Sequence, residues 1–244
     1  MLPRFHVPDL DPEQGSAQLG AEESHHLSRV LRLVAGDLIA VFDGRGREWR
    51  ARIESASRDA AWVRLLDALP SRSPRVAITL VQAVLKAESM EEVIRDCTMV
   101  GVAAIQPVVA ARTTVKTSAL RSAPARWRRV ALSSAKQCGT AILPEIHDAI
   151  RFGEWLPAAL PEHSLLLIEP GAAPPGVITI RQLAAAPPPH QALLMAGPEG
   201  GWTADERDAA LAAGARPLSL GPMTLRANAV ALAATAALVA MWEG

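Results

Sequence analysis

Gly197, Pro198, Glu199, Gly200 and Gly201 set one carboxylate in the middle of a loop built otherwise from glycine and proline. The loop leaves a run of small and apolar residues, Ala192 to Ala196. Behind it, Thr203 and Glu206 have the spacing of a capping box that starts a helix ending near Gly214. Helix amino termini bind anions, so phosphate is the first ligand to weigh. Glu199 argues against it, because a carboxylate among those amides repels phosphate. The loop also lacks the P-loop lysine and matches neither P-loop nor GxGxxG spacing. Glycines let backbone amides and carbonyls approach a flat heterocycle, and a nearby carboxylate favours a positive centre such as a sulfonium. Taken alone, the same residues also suit a structural turn ahead of a capped helix.

A second constellation lies in "SLGPMTLRANAVALAATAALVAMW", where Gly221-Pro222 follows the short run Pro217 to Leu220 and Leu225-Arg226 opens an alanine-rich helix. Small side chains allow close helix packing, so the helix from Ala227 to Met241 is either central core or a subunit interface. Arg226 stands just before this apolar stretch, and an arginine buried there must find an acid or a phosphate.

The formal net charge is +0, yet no Asp or Glu occurs between Cys97 and Pro144, a segment carrying Arg112, Lys116, Arg121, Arg126, Arg128, Arg129 and Lys136. Such a stripe is a contact for a polyanion or a solvated helix face. Arg29 and Arg32 fall about one helical turn apart and could meet phosphate on one face. Beside them, His25 and His26 have no carboxylate or distant His placed to form a catalytic pair, which favours a structural role. Aromatic residues make up 4% of the chain and tyrosine is absent, so any contact with a nucleic acid would lean on phosphates and shape rather than base stacking.

These residues need elements to position them. Up to residue 70 the chain alternates β-like pieces with glycine turns: "DLIAVFDGRGREWRARIES" gives strand, turn and strand, and "AAWVRLLD" a third strand, as in a small β-barrel or meander. A polar, proline-bearing linker at 71–75 separates it from residues 76–244, where strands and helices alternate. The runs "RVAITLVQAV", "VAAIQPVV", "SLLLIEP" and "QALLMAG" read as buried strands, and "ESMEEVIRDCTMVG" and "PARWRRVALSSAKQCG" as helices. That alternation indicates an α/β domain around a mostly parallel sheet, whose ligands sit beyond the carboxyl ends of the strands. Three loops leave such ends: "IEPGAAPPG", "GPEGG" and "LGPMTLR". Cys97 and Cys138 match no metal-ligand spacing and read as buried thiols. The amino terminus does not resemble a signal peptide, and the apolar run Ala229 to Trp242 is shorter than the ~20 residues of a membrane span. The chain reads as soluble and cytoplasmic.

"GPEGGWTADE" followed by "LSLGPMTLRANAVALAATAAL" resembles the signature of the RsmE family, SPOUT-class enzymes that use S-adenosylmethionine to methylate N3 of a uridine in 16S ribosomal RNA. "HHLSRVLRLVAGDLIAVFDGRGREW" is similar to the family's PUA-like RNA-binding barrel, and "ARTTVK" with "ARWRRVALSSAKQCGTAILPEI" to its middle segment. The resemblance spans nearly the whole chain. It implies a carboxyl-terminal SPOUT domain with a deep trefoil knot, its loops near Glu169 to Pro170, Gly197 to Gly201 and Leu218 to Leu225, after a PUA-like barrel over residues 1–70. It further implies a homodimer acting on the small ribosomal subunit, with no metal. The methyl donor would be held by Leu194, Met195, Gly197, Pro198, Glu199, Gly200, Gly201, Leu218, Leu220, Gly221, Met223, Leu225 and Asn228. Arg226 and Glu199 would carry catalysis, and Arg29, Arg32, Arg112, Lys116, Arg128 and Arg129 would contact RNA. The chain departs from the family pattern at Asn228, usually acidic, and at Ser89, usually lysine. It departs again at Arg95-Asp96, Met99-Val100, Ser133, Lys136 and Thr140, so an ion-pair network is either rebuilt or lost. These departures leave open a donor-binding, ribosome-associated relative with weak or no catalysis, or a methyltransferase for another RNA site.

Overall fold

The computed structural model describes residues 2–57, 59–71, 73–172 and 174–243, so Arg72 of the expected linker lies outside the described residues. The chain forms two compact units, Met1–Ser73 with Ala135–Leu143, and Pro74–Ser134 with Pro144–Gly244. The first unit is therefore discontinuous, which a single linker at 71–75 does not anticipate.

The first unit holds β1 (Arg4–His6), β2 (Ser16–Leu19), α1 (Ala21–His25), β3 (Leu38–Phe42), β4 (Glu48–Ala56) and β5 (Ala61–Ala68). Its sheet runs in the order β1-β3-β4-β5-β2, with β1 parallel to β3 and the other pairs antiparallel. Along β4 the buried residues Ala51 and Ile53 alternate with exposed neighbours, the period of a strand with one covered face. They pack with Phe5, Leu10, Leu19, Leu27, Ile39, Val41 and Val63. Arg4 and Glu48 form an ion pair whose side chains are 8% and 6% exposed, and Arg4 also donates to the Thr140 carbonyl at 2.7 Å. Lys136 donates to Glu23 at 2.8 Å.

The second unit holds β6 (Ala77–Ala83), α2 (Ala87–Val100), β7 (Ala104–Val109), most of α3 (Ala123–Cys138), β8 (Glu145–Ile146), β9 (Ile150–Arg151) and α4 (Phe152–Trp155). It continues with β10 (Ser164–Leu167), β11 (Ile178–Thr179), α5 (Ile180–Leu183), β12 (Gln191–Ala196), α6 (Ala204–Ala212), β13 (Arg216–Ser219) and α7 (Ala227–Glu243). The sheet order is β11-β13-β10-β12-β6-β7-β8, with β9 also paired to β7, and every recorded pair is parallel.

Parallel sheets are covered on both faces, which explains the unbroken apolar runs. Successive residues feed two separate cores: Leu80, Leu165 and Leu194 point into one, and Val81, Leu166 and Met195 into the other. α2 buries Met90, Val93, Ile94, Cys97 and Thr98 at helical spacing, and its Cys97 Sγ lies 3.9 Å from Thr235 Oγ1 of α7. Burial pushes the Cys97 thiol up to about 12. Among the described residues no helix is long and apolar enough to cross a membrane.

Candidate functional site

All strands of the second sheet point the same way, so the loops leaving their carboxyl ends gather on one edge. There the segments after β10, β12 and β13 enclose a cavity of about 590 Å³ together with Leu85, Glu88, Ser89 and Glu92 at the start of α2 and Arg112 after β7. Sites for small ligands and cofactors usually occupy about 300–1,000 Å³.

The glycine loop turns through a bond from the Gly201 amide to the Pro198 carbonyl at 2.9 Å. Gly201 has φ +68°, and a Cβ there would stand 2.8 Å from Glu169 Oε1. A Cβ on Gly200 would stand 3.2 Å from the Arg112 Cβ, and one on Gly197 3.2 Å from Trp202 Nε1. The Trp202 ring rests on Phe152 with centroids 4.7 Å apart. Beyond the loop, Thr203 caps α6: its side chain accepts from the Glu206 amide, and Glu206 Oε2 accepts from the Thr203 amide at 3.0 Å.

Four carboxylates line the cavity, those of Glu88, Glu92, Glu169 and Glu199, against the guanidinium groups of Arg112, Arg207 and Arg226. Most of them have protein partners. Glu199 Oε1 accepts from the Lys86 amide at 3.3 Å, at the amino end of α2, and Glu92 Oε2 accepts from Asn228 Nδ2 at 2.6 Å. Arg112 donates to the Gly200 carbonyl at 2.7 Å, and Arg207 pairs with Asp208 at 3.0 Å. Arg226 has no ion pair among the described residues and is exposed rather than buried, because α7 begins at the open rim of the cavity. No group of three His, Cys, Asp or Glu residues placed to hold a metal ion occurs among the described residues.

Of the residues assigned to the donor, Gly197, Pro198, Glu199, Gly200, Gly201, Leu220, Gly221, Met223, Leu225 and Asn228 line the cavity. Leu194, Met195 and Leu218 do not. Each is 0% exposed and packed inside a core, where burying such a side chain contributes about 1.5–3 kcal/mol, so their side chains hold the strands that carry the loops. Among the residues assigned to RNA, Arg29 and Arg32 do not share a helical face. α1 runs on as a π-helix over His26–Val30, and Arg32 lies beyond it with φ +55°. Arg128, Lys116 and Arg129 are all exposed, and Arg128 donates to the Ile146 carbonyl at 3.0 Å and lies 3.5 Å from Asp148. Arg112 turns to the glycine loop. Sequence reasoning missed Glu88 and Glu92 as part of the wall. Their signal was present, since the two lie one turn apart on α2, off the face that buries Met90, Val93, Ile94 and Cys97.

The departures at Asn228 and Lys136 make contacts of their own. Asn228 binds Glu92 and Lys136 binds Glu23, so polar pairing is rebuilt at both positions.

A family model described as an RNA methyltransferase domain matches residues 71–239, and one described as an RNA methyltransferase PUA domain matches residues 19–66. Ribosomal RNA small subunit methyltransferase E of Synechocystis sp. is 35% identical over 237 residues, covering 95% of this chain and 76% of the relative. The protein of the same name from Mycobacterium bovis is 31% identical over 251 residues, covering 98% and 93%. A crystal structure of a ribosomal RNA small subunit methyltransferase E from Neisseria gonorrhoeae, bound to S-adenosyl methionine, superposes with a TM-score of 0.88 at 28% identity. It covers 99% of this chain and 98% of that one.

Proposed function

The chain belongs to the RNA methyltransferase family whose relatives are named ribosomal RNA small subunit methyltransferase E, and on that premise we propose that it methylates N3 of a uridine in 16S ribosomal RNA with S-adenosylmethionine. The observation that carries this reading is the convergence of three strand-end loops on one cavity with four carboxylates and three arginines.

The residues present suit the donor. Backbone at Gly197, Gly200 and Gly201 lines the cavity without intervening side chains, Leu220 and Leu225 supply apolar wall, and the surplus carboxylate favours a cation. S-adenosylmethionine supplies a methyl group on a positively charged sulfur when bound. Everything else falls to the chain. Gly197–Gly201, Leu220 and Leu225 hold the donor in place, and positioning of this kind provides much of the acceleration of a group transfer. Uridine N3 carries a proton that must leave, and Glu199, an exposed carboxylate of the wall, receives it. Arg226, the arginine of the cavity with no ion pair among the described residues, balances the negative charge that the uracil ring then acquires.

In this reading residues 1–70 form a PUA-like RNA-binding domain, the second unit is a SPOUT domain, and the protein works in the cytoplasm as a homodimer. The loops near Glu169–Pro170, Gly197–Gly201 and Leu218–Leu225, each of which contributes residues to the cavity wall, would be those of a trefoil knot.

The test is methyl incorporation into small-subunit particles, with the product mapped by mass. Wild-type protein is expected to add one N3-methyluridine, Arg226→Ala to lose that activity at least tenfold while still binding donor, and Glu199→Gln to lose at least as much activity with weaker donor binding. Donor binding by the wild type without incorporation would refute the reading.

A further inference from the structure

Arg112 belongs to the basic segment that reads as an RNA contact, but its guanidinium is directed elsewhere. It donates to the Gly200 carbonyl at 2.7 Å and approaches the Trp202 carbonyl at 3.5 Å. Its aliphatic stem fills the space that a side chain on Gly200 would need, with its Cβ and Cδ at 3.2 and 3.3 Å from that position. The residue before it is tied to the same region, for the Ala111 amide donates to Glu206 Oε1 at 2.7 Å. The other oxygen of Glu206 closes the capping box on Thr203. Two independent attachments therefore join the segment after β7 to both ends of the stretch from Gly200 to Glu206.

We propose that Arg112 is a positioning residue for the methyl-donor loop: it holds the Gly200 carbonyl in the donor-binding conformation and links the basic segment after β7 to the cavity. The proposal rests on the reading of the cavity as a donor site. Both contacts come from the one nitrogen Nη1, which lies one bond farther along its side chain than the ammonium of lysine, so lysine brings the same charge to the loop without reaching the two carbonyls in the same way. A phosphate contact, by contrast, tolerates lysine and reports itself through salt dependence.

The experiment compares wild type, Arg112→Lys and Arg112→Ala by calorimetry with S-adenosylmethionine, by the KM for donor against kcat, and by the salt slope of RNA binding. Urea unfolding without donor establishes that each variant is folded, and Arg112→Lys carries the test if Arg112→Ala is not. The expected result is a donor Kd raised about tenfold in Arg112→Lys, one decade of binding constant, with KM for donor rising in parallel and the RNA salt slope unchanged. A change under threefold in the donor Kd of Arg112→Lys overturns the proposal, whatever RNA binding does. A salt slope lower by about one with donor binding intact would make Arg112 a phosphate contact instead. Failure of the wild type to bind S-adenosylmethionine would strike the assignment of the cavity itself, so the two failures are distinguishable.

Discussion

Replacing Gly201 by alanine separates the stability of the glycine loop from its binding role. At φ +68° an L side chain costs about 1–2 kcal/mol of backbone strain. The new Cβ would also stand 2.8 Å from Glu169 Oε1, the far end of an exposed, flexible side chain that can swing away at little further cost. The folded state should therefore lose about 1–2 kcal/mol, visible as a lower urea midpoint with an unchanged slope. Gly214 is the control: it has φ +103° with nothing within 4 Å of its Cβ position, and it is not part of the cavity wall. Gly214→Ala should show a similar loss of stability and bind S-adenosylmethionine like the wild type. Gly201→Ala should in addition bind donor about tenfold more weakly, because the loop must give up either its turn or its contact with Glu169. Equal destabilisation of the two variants with wild-type donor affinity in Gly201→Ala would refute the claim that this turn shapes the site.

Two further predictions concern the first unit. Glu48→Gln keeps the side-chain volume but leaves Arg4 buried without its carboxylate, and breaking a buried pair in this way costs about 3–5 kcal/mol; thermal unfolding should show it, with donor affinity of the folded protein unchanged. Burial lowers the pKa of His6 despite the raising effects of the Asp43 backbone and the carboxylates of Glu23 and Asp43, while nearby Lys136 adds to the lowering. The unfolded state then binds the extra proton first, so stability is complete above the ordinary histidine range near 6.5 and falls as pH drops below it toward the lowered value. His26 shifts in the same direction for the same leading cause, so His6→Gln should flatten part of this dependence, and an identical pH profile would count against it.

What was legible in the sequence follows the physics that local patterns encode. Continuous apolar runs gave β6, β7, β10 and β12, and the capping box at Thr203 gave the start of α6. Glu199, Gly200 and Gly201 were recognisable as cavity residues because strand ends and glycine turns are local signals. Tertiary facts were not. Nothing local shows that Ala135–Leu143 packs with the first unit, since the tail of α3 continues the same helical pattern. The π-helix at His26–Val30 escaped because one extra residue per turn leaves the composition unchanged, yet it ends the helix before Arg32. The family resemblance implies Leu194 and Met195 as donor residues, and the pleat sends their side chains to the two cores. Apolar neighbours in sequence predict burial for Arg226, whereas it is exposed in the cavity wall just before α7.

Glycine in this loop serves close approach more than freedom. The positions that would carry side chains at Gly197, Gly200 and Gly201 are crowded by Trp202, Arg112 and Glu169, and each of these is anchored or supplied by a different segment. Trp202 rests on Phe152 of α4, Arg112 extends from the loop after β7, and Glu169 follows β10. A side chain at any of the three positions would therefore have to displace a neighbour, and the Arg112 bond to the Gly200 carbonyl ties the loop to a second segment. A wall tied down in this way spares part of the ordering cost that an untethered loop imposes on binding. The same logic gives the neighbouring side chains a part in recognition without touching the ligand: altering Arg112 or Trp202 loosens the loop, and the loss should appear in donor affinity before it appears in global stability.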